Sequence, residues 1–202
     1  MTDILKAESV KYIPASSLQS TSWKNGGGST VQIYVAPESA DINNFDWRLS
    51  LATVSVDGSF SIFEGIDRTI TIVSGNGITL DVEGLSRPVI LEIDSAPFSF
   101  AADVPTKGRL INNHITDLNI MTDRNRFTHE VERRNIAKNT TINIDSHINI
   151  IFAVTNFTVR LADKDYHLQQ HDTLIVSGPK SSLEIMTPHS ATFLSISVNK
   201  LE

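Results

Sequence analysis

The sequence contains no cysteine, which removes disulfides, thiolate metal sites and cysteine nucleophiles from consideration. Its histidines begin only at His114, so the N-terminal half lacks the several histidines that metal-dependent β-barrel enzymes use together with a carboxylate. The later ones are His129, His147, His167, His171 and His189. His167 and His171 have the spacing of a helix face but sit in a strand–turn pattern, where His171 reads as a turn residue in a glycine's place. No metal and no cofactor are expected. Basic residues are in deficit, 17 against 23 acidic, and a net charge of -6 argues against nucleic acid as a partner. No apolar run approaches the roughly 18 residues of a membrane span. Asp3, Lys6, Glu8 and Lys11 interrupt the apolar core a signal peptide needs, so a cytoplasmic location without a membrane partner is expected. There is no nucleophile-elbow motif for Ser/His/Asp hydrolysis. Helical periodicity is nearly absent, with single turns expected only at 14–18 and 39–42.

What fills the chain instead is period-two alternation of β-branched residues. Thr69-Ile70-Thr71-Ile72-Val73, the turn Ser74-Gly75-Asn76-Gly77 and Ile78-Thr79-Leu80-Asp81-Val82 predict a hairpin. Residues 88–93 and 96–100 continue the meander. The same rhythm of strand and turn returns between 148 and 185, a weak internal duplication that predicts two stacked or fused barrels. Thr122 to Asn135, polar and carrying Arg124, Arg126, Arg133 and Arg134, reads as an exposed crossover. The expected division is therefore 1–121 and 122–202, in a mainly β chain.

Trp23-Lys24-Asn25-Gly26-Gly27-Gly28-Ser29-Thr30 is the most distinctive stretch. Three glycines allow positive φ, and such a loop can present successive N–H groups to an anion. It can equally be a glycine connection between two strands. Alternation also sorts the polar residues by face. Arg68 shares a face with Ile70 and Ile72, Asp117 with Asn119 and Met121, and Arg48 with Ser50, opposite Trp47, Leu49 and Leu51. Each such polar face is either solvated or the lining of a cavity. Asp67 reads as a partner for Arg68 or a turn cap.

Trp23 to Gly28, Phe45-Asp46-Trp47-Arg48, Gly58-Ser59-Phe60-Ser61-Ile62-Phe63-Glu64-Gly65-Ile66-Asp67-Arg68 and Asp117-Leu118-Asn119 together resemble the HutD/Ves family of small bacterial proteins. The resemblance implies a double cupin (bicupin), two RmlC-like jelly-roll halves in one chain. HutD members are associated with histidine utilisation, where a regulator or sensor of a pathway metabolite has been proposed. Carried over by motif, the ligand-binding residues would be Trp23, Lys24, Asn25, Gly26, Gly27, Gly28, Trp47, Arg48, Arg68, Asp117 and Asn119. The cupin arrangement would bring Lys24, Arg48 and Arg68 around one barrel, a set suited to a carboxylate. N-formylglutamate or urocanate are the expected ligand chemistries. The alternatives are a metal-independent isomerase or hydrolase using Asp117 with Lys24 or Arg68, and a Ves-like stress protein. Exposed sheet edges would allow a homodimer. The chain departs from the family pattern at Ala102-Asp103, Asn112-Asn113-His114 and His171-Asp172-Thr173, which bears on loops rather than fold.

Overall fold

The structure, a computed structural model, describes residues 9–42 and 44–202. It opens with β1 (Ser9–Ile13) and a 3-10 turn (Ala15–Ser17). β2 (Ser20–Ser22), β3 (Gly28–Ala36), β4 (Trp47–Val54), β5 (Gly58–Ser59) and β6 (Ile66–Ser74) follow. Next are β7 (Ile78–Val82), β8 (Val89–Leu91), β9 (Phe98–Ala101), β10 (Thr106–Leu110) and β11 (Ile115–Asp123). The later strands are β12 (Phe127–Ile136), β13 (Thr140–Ile144), β14 (Ile148–Ala153) and β15 (Phe157–Leu161). β16 (Lys164–Leu168), β17 (Thr173–Ser177), β18 (Ser181–Met186) and β19 (Ala191–Lys200) complete the set. Of the two helical turns expected, the first is this 3-10 turn, whereas residues 39–42 form no helix.

Two compact units emerge, and among the described residues they are 18–128 with 201–202, and 9–17 with 129–200. The first has a six-stranded sheet in the order β2-β3-β4-β11-β6-β9 and a four-stranded sheet in the order β5-β10-β7-β8. The second has a five-stranded sheet, β1-β17-β14-β19-β12, and a four-stranded sheet, β13-β18-β15-β16. From β4 to β11 the chain alternates between its two sheets in the same sequence of steps as from β12 to β19. The units also share sheet order, since β4, β11, β6 and β9 lie side by side as β12, β19, β14 and β17 do.

Three expectations change. The predicted hairpin at 69–82 is an arch: β6 pairs with β11 and β9, whereas β7 pairs with β10 and β8. Gly75 (φ 92) and Gly77 (φ 125) carry the chain from one sheet to the other. A Cβ at Gly75 would lie 2.6 Å from the His114 carbonyl oxygen, and one at Gly77 2.3 Å from that of Leu91. The stretch read as a crossover is largely β12, whose alternately exposed residues form a sheet edge. The division also falls later than residue 122, and β1 joins the second unit by pairing with β17, Ser9 opposite Ser177 through Ile13 opposite Thr173. A strand's distant partner leaves no trace in its own alternation.

In the first unit one core cluster consists of Val54, Ile70, Ile72, Ile78, Leu80, Val82, Leu91 and Ile115, drawn from both sheets. In the second, Ile151, Leu174, Val176 and Phe193 meet Val159, Leu168, Leu183 and Ile185 in the same manner. Burying such aliphatic faces is the main source of stability, about 1.5–3 kcal/mol for each fully buried side chain.

Candidate functional site

Residues directly opposite in an antiparallel ladder share a face. Met121 of β11 lies opposite Arg48 on one side and Arg68 on the other. Asn119 lies opposite Ser50 and Ile70, and Asp117 opposite Ala52 and Ile72. Arg48, Arg68, Asn119 and Asp117 therefore project from the same face as the core residues Ile70, Ile72, Val54 and Ile115. These polar faces are buried rather than solvated. Relative exposure falls from 8% at Arg48 and 7% at Arg68 to 1% at Asn119 and 0% at Asp117.

Hydrogen bonds link Arg68, Asn119 and Asp117 in series, and Arg48 bonds separately. Arg68 donates through Nε (2.8 Å) and Nη2 to Asn119 Oδ1. Asn119 Nδ2 in turn donates to Asp117 Oδ1. Arg48 Nε donates to Oε1 of the exposed Gln32 at 3.0 Å, beside a register shift in β3. The arginine–amide–carboxylate series ends on a fully buried carboxylate, while Arg48 is tied to an amide at the surface. Phe60 and Phe100 stack near the Arg68 guanidinium, with centroids 4.6 and 5.8 Å from its carbon.

Burial governs the electrostatics. Desolvation lowers Arg68 to about 10, helped by repulsion from Arg48 and opposed by Asp117, so it remains cationic at neutral pH. Desolvation also lowers Arg48. The Asp117 carboxyl is raised to about 6 by burial, against the attraction of Arg68 and the hydrogen bond from Asn119. Its Oδ2 has no hydrogen-bond partner among the described residues. Among the described buried residues of this unit, the charged ones are two arginines and one aspartate, which leaves a net positive charge.

The other sequence-predicted residues are placed differently. Lys24 and Asn25 are exposed, whereas the arginines are buried. The Gly26 N–H donates to the Trp23 carbonyl at 3.0 Å and the Gly27 N–H to Asn25 Oδ1 at 3.0 Å, so these two amides serve their own turn. Gly28 has a packing role: a Cβ there would lie 2.3 Å from the Thr53 carbonyl oxygen and 2.9 Å from the Trp23 ring. Trp23 packs against the core of this unit and donates through Nε1 to Thr30 Oγ1 at 2.7 Å. Trp47 points to the opposite face from Arg48 and stacks on Tyr34, centroids 4.9 Å apart. Asp67 pairs not with Arg68 but with Arg124 at 3.0 Å, and Arg124 also grips Asp103 through both terminal nitrogens. In the departure at Ala102-Asp103 it is Ala102 that differs from the family's glycine-aspartate pair, and Asp103 makes this ionic tie.

Gln32, Phe60 and Phe100 carry no sequence signal of their contacts with Arg48 and Arg68. Phe60 lies inside the glycine-to-arginine motif, and its alternation with Ile62 gave no sign that it covers a cation. It also lines a surface depression of about 400 Å³ formed with Ser59, Asp81, Glu83, Thr106 and Lys107. No group of three or more His, Asp or Glu side chains among the described residues could hold a metal ion. No helix among them is long and apolar enough to cross a membrane.

The sequence profile of the HutD family matches residues 15–193. Protein Ves of Citrobacter koseri is 31% identical over 156 residues, covering 77% of this chain and 78% of that one. The solved structure of HutD from Pseudomonas fluorescens SBW25 superposes with a TM-score of 0.81 at 26% identity, covering 96% of this chain and 100% of that chain. A cupin 2 conserved barrel domain protein from Leptotrichia buccalis superposes with a TM-score of 0.60 at 10% identity, covering 97% and 100% of the two chains. That last likeness concerns the fold alone, which is cupin-like and mainly β.

Proposed function

The chain belongs to the HutD family, and from that premise we propose that its 18–128 unit binds a small carboxylate metabolite at Arg48 and Arg68. The observation that carries this reading is the charge imbalance inside the unit: two buried arginines against one buried aspartate among the described residues. Unpaired charge is costly in a desolvated site, and a ligand carboxylate would compensate it. Guanidinium groups suit that role because their planar fork matches a carboxylate. The shared strand order of the two units supports reading them as two fused cupin halves, a double cupin with the ligand in one half. The family name supports a regulator or sensor in histidine utilisation, with N-formylglutamate or urocanate as the ligand.

Isothermal titration of the wild type, Arg48→Ala, Arg68→Ala and Lys24→Ala against N-formylglutamate, urocanate and glutamate tests the reading. Truncating an arginine that holds a partly buried carboxylate should cost about 2–5 kcal/mol in binding. Arg68→Lys should bind less well than wild type, because it keeps the charge and loses the fork. Lys24→Ala should bind as wild type does, since Lys24 is exposed. Unchanged affinity in both arginine-to-alanine variants would sink the proposed site.

A further inference from the structure

We propose that the site selects carboxylates that also carry a hydrogen-bond donor, an N–H or O–H group received by Oδ2 of Asp117. This deepens the carboxylate reading and rests on it. Asp117 is fully buried, one of its oxygens is taken by Asn119 and the other has no partner among the described residues. A buried carboxylate oxygen without a donor is a standing cost, and the cost disappears when a ligand supplies the donor.

Geometry gives such a ligand a direction. Asn119 bridges the Arg68 guanidinium and the Asp117 carboxylate, so the two ends of the site lie two hydrogen bonds and one amide apart, roughly 8 Å or less. An anionic group is attracted at the arginine end and repelled at the Asp117 end. The ligand's carboxylate is thereby directed to Arg48 and Arg68 and its donor to Asp117. Aliphatic acids with no N–H or O–H in reach leave Oδ2 unpaired and are disfavoured. The site reads two chemical groups and the spacing between them.

Matched ligand pairs provide the test: N-formylglutamate against glutarate, and urocanate against 3-(2-furyl)acrylate, in which a furan oxygen replaces the imidazole N–H. In the wild type, the donor-bearing member of the pair that binds should be preferred about 10- to 100-fold, the range of a hydrogen bond to a charged group. In Asp117→Asn the new side chain must present its oxygen to Asn119 Nδ2, which puts its NH2 where Oδ2 stood. A donor then meets a donor, and the preference should vanish or reverse. Equal affinity within both pairs in the wild type overturns the inference and leaves the carboxylate reading standing. A preference that survives Asp117→Asn unchanged overturns it as well. Failure of all four compounds to bind the wild type would bring down the carboxylate reading and this inference with it. The wild-type comparison decides without any variant having to fold.

Discussion

Asp117 ties ligand recognition to the pH dependence of stability. Its folded-state pKa of about 6 lies above the ordinary value of 3.8, chiefly through desolvation. The folded chain therefore holds this proton more tightly than the unfolded one. The stabilisation is fully present below about pH 4 and is lost as pH rises through 6, amounting to roughly 3 kcal/mol. Denaturant unfolding of wild type and Asp117→Asn between pH 4 and pH 7.5 should show the variant gaining on the wild type by about that amount. A constant difference across the range would mean that Asp117 is ionised throughout. Tyr12 carries a linkage of the same sign at higher pH. Burial and the Asp172 carboxylate raise it to about 12, so its contribution is lost as pH climbs from 10 toward 12.

At the scale of elements, strands were legible and their partners were not. Alternation identified the strands at 69–73 and 78–82, because a half-buried pleat demands it. It could not distinguish a hairpin from an arch, since both need the same glycines in the turn. The same limit applied to the site. Alternation placed Arg68, Asp117 and Asn119 correctly by face within each strand. Only the β4–β11–β6 register showed that the faces are one face and point inward. The glycine run predicts exposed amides, whereas at Gly28 the absence of a Cβ is what counts. This leads to an expected ranking. Gly28→Ala puts a Cβ against fixed backbone at 2.3 Å and should cost more than about 2 kcal/mol. Gly26→Ala meets open space and bears only the left-handed φ of 70, about 1–2 kcal/mol. Urea midpoints of the two variants give the order, and equal losses would contradict the packing role of Gly28.

At the scale of the molecule, Asp172 fastens the first strand to a turn far along the chain. It accepts hydrogen bonds from Tyr12 Oη at 2.5 Å, from the Ala15 N–H at 2.7 Å and from the Gln169 N–H at 2.9 Å. The neighbouring His171 has φ 70, which agrees with its reading as a glycine substitute. Asp172→Ala removes all three bonds and should cost about 3–5 kcal/mol, summing a net bond to a charged group with the penalty of leaving donors unpaired. Hydrogen exchange should localise the loss to Ser9–Ile13 and Thr173–Ser177. An effect spread evenly over both units would show that Asp172 is not the fastening. The strand order that the two units share shows in the sequence as a rhythm, and the pairing of β1 with the later unit does not.

That pairing sets an order in time. A ribosome delivers Tyr12 160 residues before the Asp172 that will hold it. Everything between 18 and 128 emerges in the interval, with all the strands of its own two sheets. The unit containing both arginines can thus close during translation, while the segment before it waits for the last strands to be made. A nascent chain cut short after residue 128 would carry the cation cluster complete, trailing an unpaired strand from its front end. Such a strand is a template for joining other chains.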